Sequence, residues 1–146
     1  MKKITSRNFT VDYYEKEDEI WLVKTHLSDE EHEIEVSAEI DMREMVVQDA
    51  KILFQRNPSE YCKMVEELAS RMKGTKIDRN FSRNMLQIFM GAQGCPNIMS
   101  LLTISIPGII YYYYPYLLKT GKMKYEEWDH MIRTELKNDC IAHTMR

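Results

Sequence analysis

Three side chains in this chain have the chemistry to hold a metal ion or attack a substrate: His32, Cys62 and Cys95. Cys62 closes the stretch NPSEYC, which is built like a helix start. Asn57 is its expected N-cap, Pro58 its first helical residue and Glu60 its third. Cys95 stands directly before Pro96 in GAQGCPN, which makes it the expected N-cap of another helix. At both positions unpaired backbone N–H groups and the positive end of the helix dipole favour thiolate, the form that binds metal or acts as a nucleophile. His32 falls in the apolar register of an alternating strand, at its end. Joined, the three would leave one coordination position open, and sulfur with imidazole suits zinc or iron better than magnesium or calcium.

Each residue also has a plain reading. A single cysteine is more often a small buried hydrophobe, and a histidine at a strand end is more often a hydrogen-bonded rim residue. There is no C-x-x-C pair and no zinc-finger spacing. Cys140 lies near the apolar stripe of a late helix and reads as packing. Asn97, two residues after Cys95, is either a partner or weak fourth ligand of the site, or an inert first-turn residue.

The elements that must position these groups follow from periodicity. Residues 19–27, EIWLVKTHL, are rich in strand formers. HEIEVSAEI, 32–40, alternates with period two, with Ile34, Val36, Ala38 and Ile40 on one face. MVVQDAKILFQR, 45–56, reads as a third strand, and Asp41–Glu44 as the turn that pairs it antiparallel to the second. The period then becomes helical. A first helix carries Cys62, Val65, Ala69 and Met72 on one stripe and stops at Gly74. A second spans about 80–90, with Phe81, Met85, Ile88 and Phe89 inward. A long apolar helix from Pro96 is interrupted at Pro107-Gly108. A last amphipathic helix covers 125–143, with Trp128, Ile132 and Leu136 as its buried stripe. The expected fold is α+β: a three-stranded antiparallel sheet (19–56), a helical core (57–118) and a C-terminal helix (123–146), with residues 1–18 as an N-terminal arm, in one domain.

The 146 residues are enough for one real core, and 29% charged with 44% hydrophobic residues is the balance of a folded chain. A net charge of −3 with no evident basic face argues against broad nucleic-acid binding. The start has two lysines but no apolar run behind them, unlike a secretory signal. Three irregularly spaced cysteines do not make a disulfide framework, so a reducing cytoplasmic setting is expected.

The order EDEIWLVKTHLSD, HEIEVSAEID, NPSEYC, MKGTKI and FMGAQGCPNIMSLL resembles an uncharacterised bacterial family known as a domain of unknown function. That family's pattern is a His-Asp start to an alternating strand, then P-x-x-x-C, then GG-x-x-GC-x-H-L. The resemblance covers about residues 12–104. This chain keeps that pattern's histidine, His32, and both of its cysteines, Cys62 and Cys95. This chain departs at Glu33, where the family has aspartate, and at Asn97, where it has histidine. A more distant similarity is to the iron–sulfur cluster scaffold proteins, in which a ligand carboxylate opens an alternating strand and two later cysteines open helices. That likeness implies the scaffold fold, with zinc, iron or an iron–sulfur cluster as cofactor. The scaffold's additional first cysteine has no counterpart before His32.

No charged residue lies between Arg83 and Lys119. The stretch 98–118 is long enough to span a bilayer. The break at Pro107-Gly108 and the crowding of tyrosine hydroxyls at one end argue against that. Tyrosine at every position from 111 to 114 covers all sides of a helix, so some rings must leave a monomer's core. A homodimer interface through 98–118 is the plainer expectation, with Tyr111 and Tyr112 as pocket wall for a hydrophobic or aromatic ligand the sharper one. Three functions therefore stand open. The first is a small metal-binding protein with an open His/Cys/Cys site. The second is a hydrolase or isomerase acting on a hydrophobic or aromatic small molecule, with Cys95 and His32 as catalytic candidates. The third is a metal-free oligomeric interaction protein.

Overall fold

All 146 residues, Met1–Arg146, are described in the computed structural model. The chain forms two compact units, Met1–Pro107 and Gly108–Arg146. The first is α+β. Its sheet has four antiparallel strands in sequence order: β1 (Asn8–Glu17), β2 (Ile20–Ser28), β3 (Glu33–Asp41) and β4 (Val46–Arg56).

The alternation in β3 reports its burial faithfully: Ile34, Val36, Ala38 and Ile40 are buried. In the antiparallel register they lie opposite Leu27, Thr25, Val23 and Trp21 of β2, and all eight share the inner face. Ile52 and Phe54 extend that face on β4. The fourth strand, β1, occupies residues expected as an arm. It is an edge strand on which only Val11 and Tyr13 are even half-buried, so its apolar periodicity is too weak to read. Tyr13 still anchors it: its hydroxyl donates to the Ser105 carbonyl at 2.6 Å.

The segment expected as the first α-helix is a 3-10 helix, Glu60–Met72, capped by Ser59 rather than Asn57. At 3.0 residues per turn, side chains three apart eclipse one another in columns. One column, Glu66, Ala69 and Met72, faces β4, and Glu66 accepts a hydrogen bond from the Phe54 amide at 2.8 Å. Ala69 and Met72 are buried there. A neighbouring column runs Cys62, Val65, Leu68, and a third runs Tyr61, Met64, Glu67. Cys62 is consequently half-buried rather than part of the buried stripe.

Helix α1 (Phe81–Phe89) buries Phe81, Met85 and Phe89. Helix α2 (Pro96–Ser105) buries Ile98, Met99, Leu101 and Leu102 and packs on α1 and on β2. Between them the chain turns through Gly91, at φ +89°. It then passes so close to the end of α1 that the Cys95 amide donates to the Phe89 carbonyl at 2.7 Å. A Cβ on Gly94 would lie 1.8 Å from that same carbonyl oxygen.

The C-terminal unit contains α3 (Ile110–Lys119), α4 (Tyr125–Thr134) and the short α5 (Ile141–Thr144). The apolar stretch is thus two helices, α2 and α3, separated at Pro107-Gly108. By length and composition alone, Pro96–Lys119 passes as a candidate membrane span. The last helix is also two: α4 ends at Thr134, and Leu136 and Asp139 close turns before α5.

The Gly91–Gly94 turn yields a ranked prediction. Gly91→Ala places an L residue at positive φ, which costs about 1–2 kcal/mol. Gly94→Ala must displace backbone, because the obstructing atom is a carbonyl that already accepts the Cys95 amide. Thermal unfolding should rank Gly94→Ala well below Gly91→Ala, and both below the wild type. Equal melting temperatures for the two variants would contradict the close approach.

Candidate functional site

The site residues gather at one end of the sheet, where β2 ends, β3 begins and β4 runs into the 3-10 helix. The organising group is Asp29. Its Oδ1 accepts the Glu31 amide at 2.9 Å, the His32 amide at 2.7 Å and His32 Nδ1 at 3.0 Å. Its Oδ2 accepts Arg7 Nε at 2.7 Å. Burial raises the Asp29 pKa, but the bonds from the His32 ring, Arg7 and the two backbone amides outweigh it and lower the pKa to about 2. An ionised Asp29 can only accept, so the proton on the His32 ring sits on Nδ1. In the neutral ring Nε2 then carries the lone pair, the arrangement that prepares a histidine as a base or a metal ligand.

Arg7 continues the network: its Nη2 donates to Asn97 Oδ1 at 2.6 Å. Asn97, in the first turn of α2, is thereby tied through one guanidinium to the carboxylate that holds His32. Arg56 closes the back of the turn, donating to the carbonyls of Asp29 and His32 at 2.6 and 3.2 Å. Glu33 pairs with Arg56 at 3.1 Å and with His26 at 3.0 Å, so its carboxylate holds the strand ends rather than the His32 ring.

The two cysteines line a separate surface. Cys62 and Cys95 both border one cleft of about 540 Å³ between the 3-10 helix and the Ala92–Pro96 turn. Columns Tyr61–Met64–Glu67 and Cys62–Val65–Leu68 form one wall. Cys95 occupies the N-cap of α2 with extended backbone, φ −146° and ψ 119°, and Pro96 is the first helical residue, as the sequence implies. The Cys95 side chain makes no capping bond.

His32 does not border this cleft, and no three His, Cys, Asp or Glu side chains are grouped to hold a metal ion. The structure thus places the expected His32/Cys62/Cys95 set as a pair and a single. The thiols share a cleft, while the imidazole is drawn to Asp29 on the turn. Cys140 is exposed rather than packed. Tyr111 borders a small cavity in the C-terminal unit, and Tyr112 is largely exposed.

Residues 5–108 match the model of a family described as "Protein of unknown function (DUF2889)". The chain belongs to that family. No curated protein and no solved structure matches it. The family's span contains the whole sheet, the Asp29–His32 turn and the thiol cleft, and it stops one residue into the C-terminal unit.

Asp29, Arg7, Met64 and Glu67 are site residues that sequence reasoning missed. The D-x-x-H spacing of Asp29 and His32 carried a local signal, that of an acidic side chain capping a turn three residues ahead. Arg7 had none, since its partners lie 22 and 90 residues away.

The lowered pKa of Asp29 fixes the sign of a pH effect. The unfolded carboxyl titrates near 3.8 and the folded one near 2. The stabilisation is complete above the unfolded value and is lost as pH falls through the folded one. Asp29→Asn removes this contribution. Its unfolding midpoint in urea should lie below that of the wild type at pH 7, and the gap should narrow as pH approaches 2. A gap independent of pH would refute the assigned hydrogen bonds.

Proposed function

We propose that this protein binds a soft metal ion, zinc or iron, at the cleft bordered by Cys62 and Cys95. The observation that supports the reading is the shared cleft: two thiols, from segments 33 residues apart in number, border one surface depression. The donor chemistry fits. Thiolates select zinc and iron over magnesium and calcium, and the exposed Met64 on the same wall adds a thioether. Two protein thiols leave coordination positions open, as in a reactive or transfer site rather than a closed structural one. The order of an alternating strand followed by two cysteines at helix starts, shared with the iron–sulfur scaffold proteins, points the same way.

The test is zinc binding by untagged protein, read as metal content and as protection of the thiols from alkylation. Bound zinc should slow alkylation of both cysteines, and Cys62→Ala or Cys95→Ala should weaken binding about 100-fold or more, beyond the 10–100-fold typical of a residue that only supports a ligand. Affinity should fall as pH drops, because the ligands must lose protons. Less than about a tenth of an equivalent of metal, with no protection at either thiol, would overturn the proposal.

The Asp29–His32 pair supports a second reading: acid–base catalysis at His32 Nε2, in a hydrolase or isomerase of hydrophobic small molecules. His32→Gln separates the two. Unchanged zinc affinity in that variant leaves the thiols as the ligands and His32 free for a role of its own. A loss comparable to that of the cysteine variants makes His32 a third ligand after all.

A further inference from the structure

The C-terminal unit holds a cavity that the thiol site does not use. It measures about 70 Å³ and is bordered by Tyr111, Tyr114, Trp128, Met131, Ile132 and His143, among others, all within Gly108–Arg146. Its walls are aromatic and apolar, with one exception. The Nδ1 atom of His143 is buried without a hydrogen-bond partner, and buried polar atoms are normally paired. The protein itself supplies no partner to this atom.

Size, charge and the existing contacts narrow what that group is. A closed cavity of about 150 Å³ takes a benzene, and a water occupies about 30 Å³. The space of about 70 Å³ therefore suits a group of a few heavy atoms. Carboxylates act on the hydroxyls of two of the rings. Asp139 accepts the Tyr111 hydroxyl at 3.2 Å. Burial raises the pKa of Tyr114, and the charge of Glu135 raises it further. One ring already carries a cation: the Arg146 guanidinium lies 4.8 Å from the Trp128 centroid. No lysine or arginine borders the cavity. Aromatic faces attract cations, and a partner for His143 Nδ1 that carries its own N–H would complete the set.

We propose that this cavity is a binding site for a small methylated ammonium ion that keeps an N–H, with Tyr111, Tyr114 and Trp128 as its aromatic walls and His143 Nδ1 as the acceptor of its proton. The site lies outside the family's span, so it is an addition to whatever the first unit does.

The test is a titration of the whole protein with dimethylammonium chloride, followed by NMR of the two tryptophan indole signals. Trp128 should shift saturably and Trp21, on the sheet, should not. Isopropanol, neutral and of similar size, should bind at least tenfold more weakly. Tetramethylammonium, which has no N–H, should also bind more weakly, and His143→Ala should erase that preference while retaining the shift. Tyr114→Leu, with the Trp128 signal as reporter, should weaken binding at least tenfold, and if that variant does not fold, Tyr111→Leu read the same way serves instead. No saturable shift at up to ~50 mM ligand, a range that reaches beyond millimolar affinity, would overturn the proposal. Equal affinity for isopropanol would overturn it as well, reducing the site to an apolar void.

Discussion

A single carboxylate governs the geometry of the N-terminal unit's functional end. Asp29 closes the β2–β3 turn through two backbone amides, fixes the His32 ring through Nδ1 and anchors the N-terminal segment through Arg7. Arg7 in turn reaches Asn97 at the start of α2. Exposed ion pairs contribute little to stability. Asp29 differs because its side chain is only 10% exposed and its two oxygens are fully committed. Its job is positional. It sets which nitrogen of His32 carries the proton, and it links the turn to the helix whose N-cap is Cys95.

A second constraint acts on the backbone rather than on side chains. The Phe89 carbonyl accepts the Cys95 amide, and this close approach leaves no room for any side chain at residue 94. The cysteine is thereby delivered to the cleft by a rigid turn. The opposite wall has its own cause. Three residues per turn stack Tyr61, Met64 and Glu67 in one column and Cys62, Val65 and Leu68 in the next, so six residues of a short segment all border the same cleft. A 3.6-residue period would have spread them around the helix.

Periodicity made much of this legible. The alternation of 32–40 reported the buried face of β3, and Cys95-Pro96 reported the start of α2, because both signals are local and strong. Residues 8–17 gave no such signal, since an edge strand with one half-buried pair has nothing to alternate, and so a four-stranded sheet reads as three. Cys62 was placed on a buried stripe because an α-helical period was applied to a segment that winds as a 3-10 helix. Glu33 and Asn97 were marked as supporting residues. They do make bonds at this end of the sheet, but to Arg56, His26 and Arg7 rather than to His32 or the thiols. The rest of the site depends on pairings across tens of residues, which no spacing rule predicts.

The position of the family boundary gives these features a division of labour. The family's span ends at residue 108, where the second compact unit starts. The thiol cleft and the Asp29–His32 turn lie within that span, where Ile98, Leu101 and Leu102 of α2 are buried and the helix packs on the sheet. Tyr113 is buried, Tyr111 and Tyr114 border the aromatic cavity, and Tyr112 faces outward. Four consecutive helical positions reach around the helix, but positions three apart are neighbours on its surface, so Tyr111 and Tyr114 meet at one cavity beside His143.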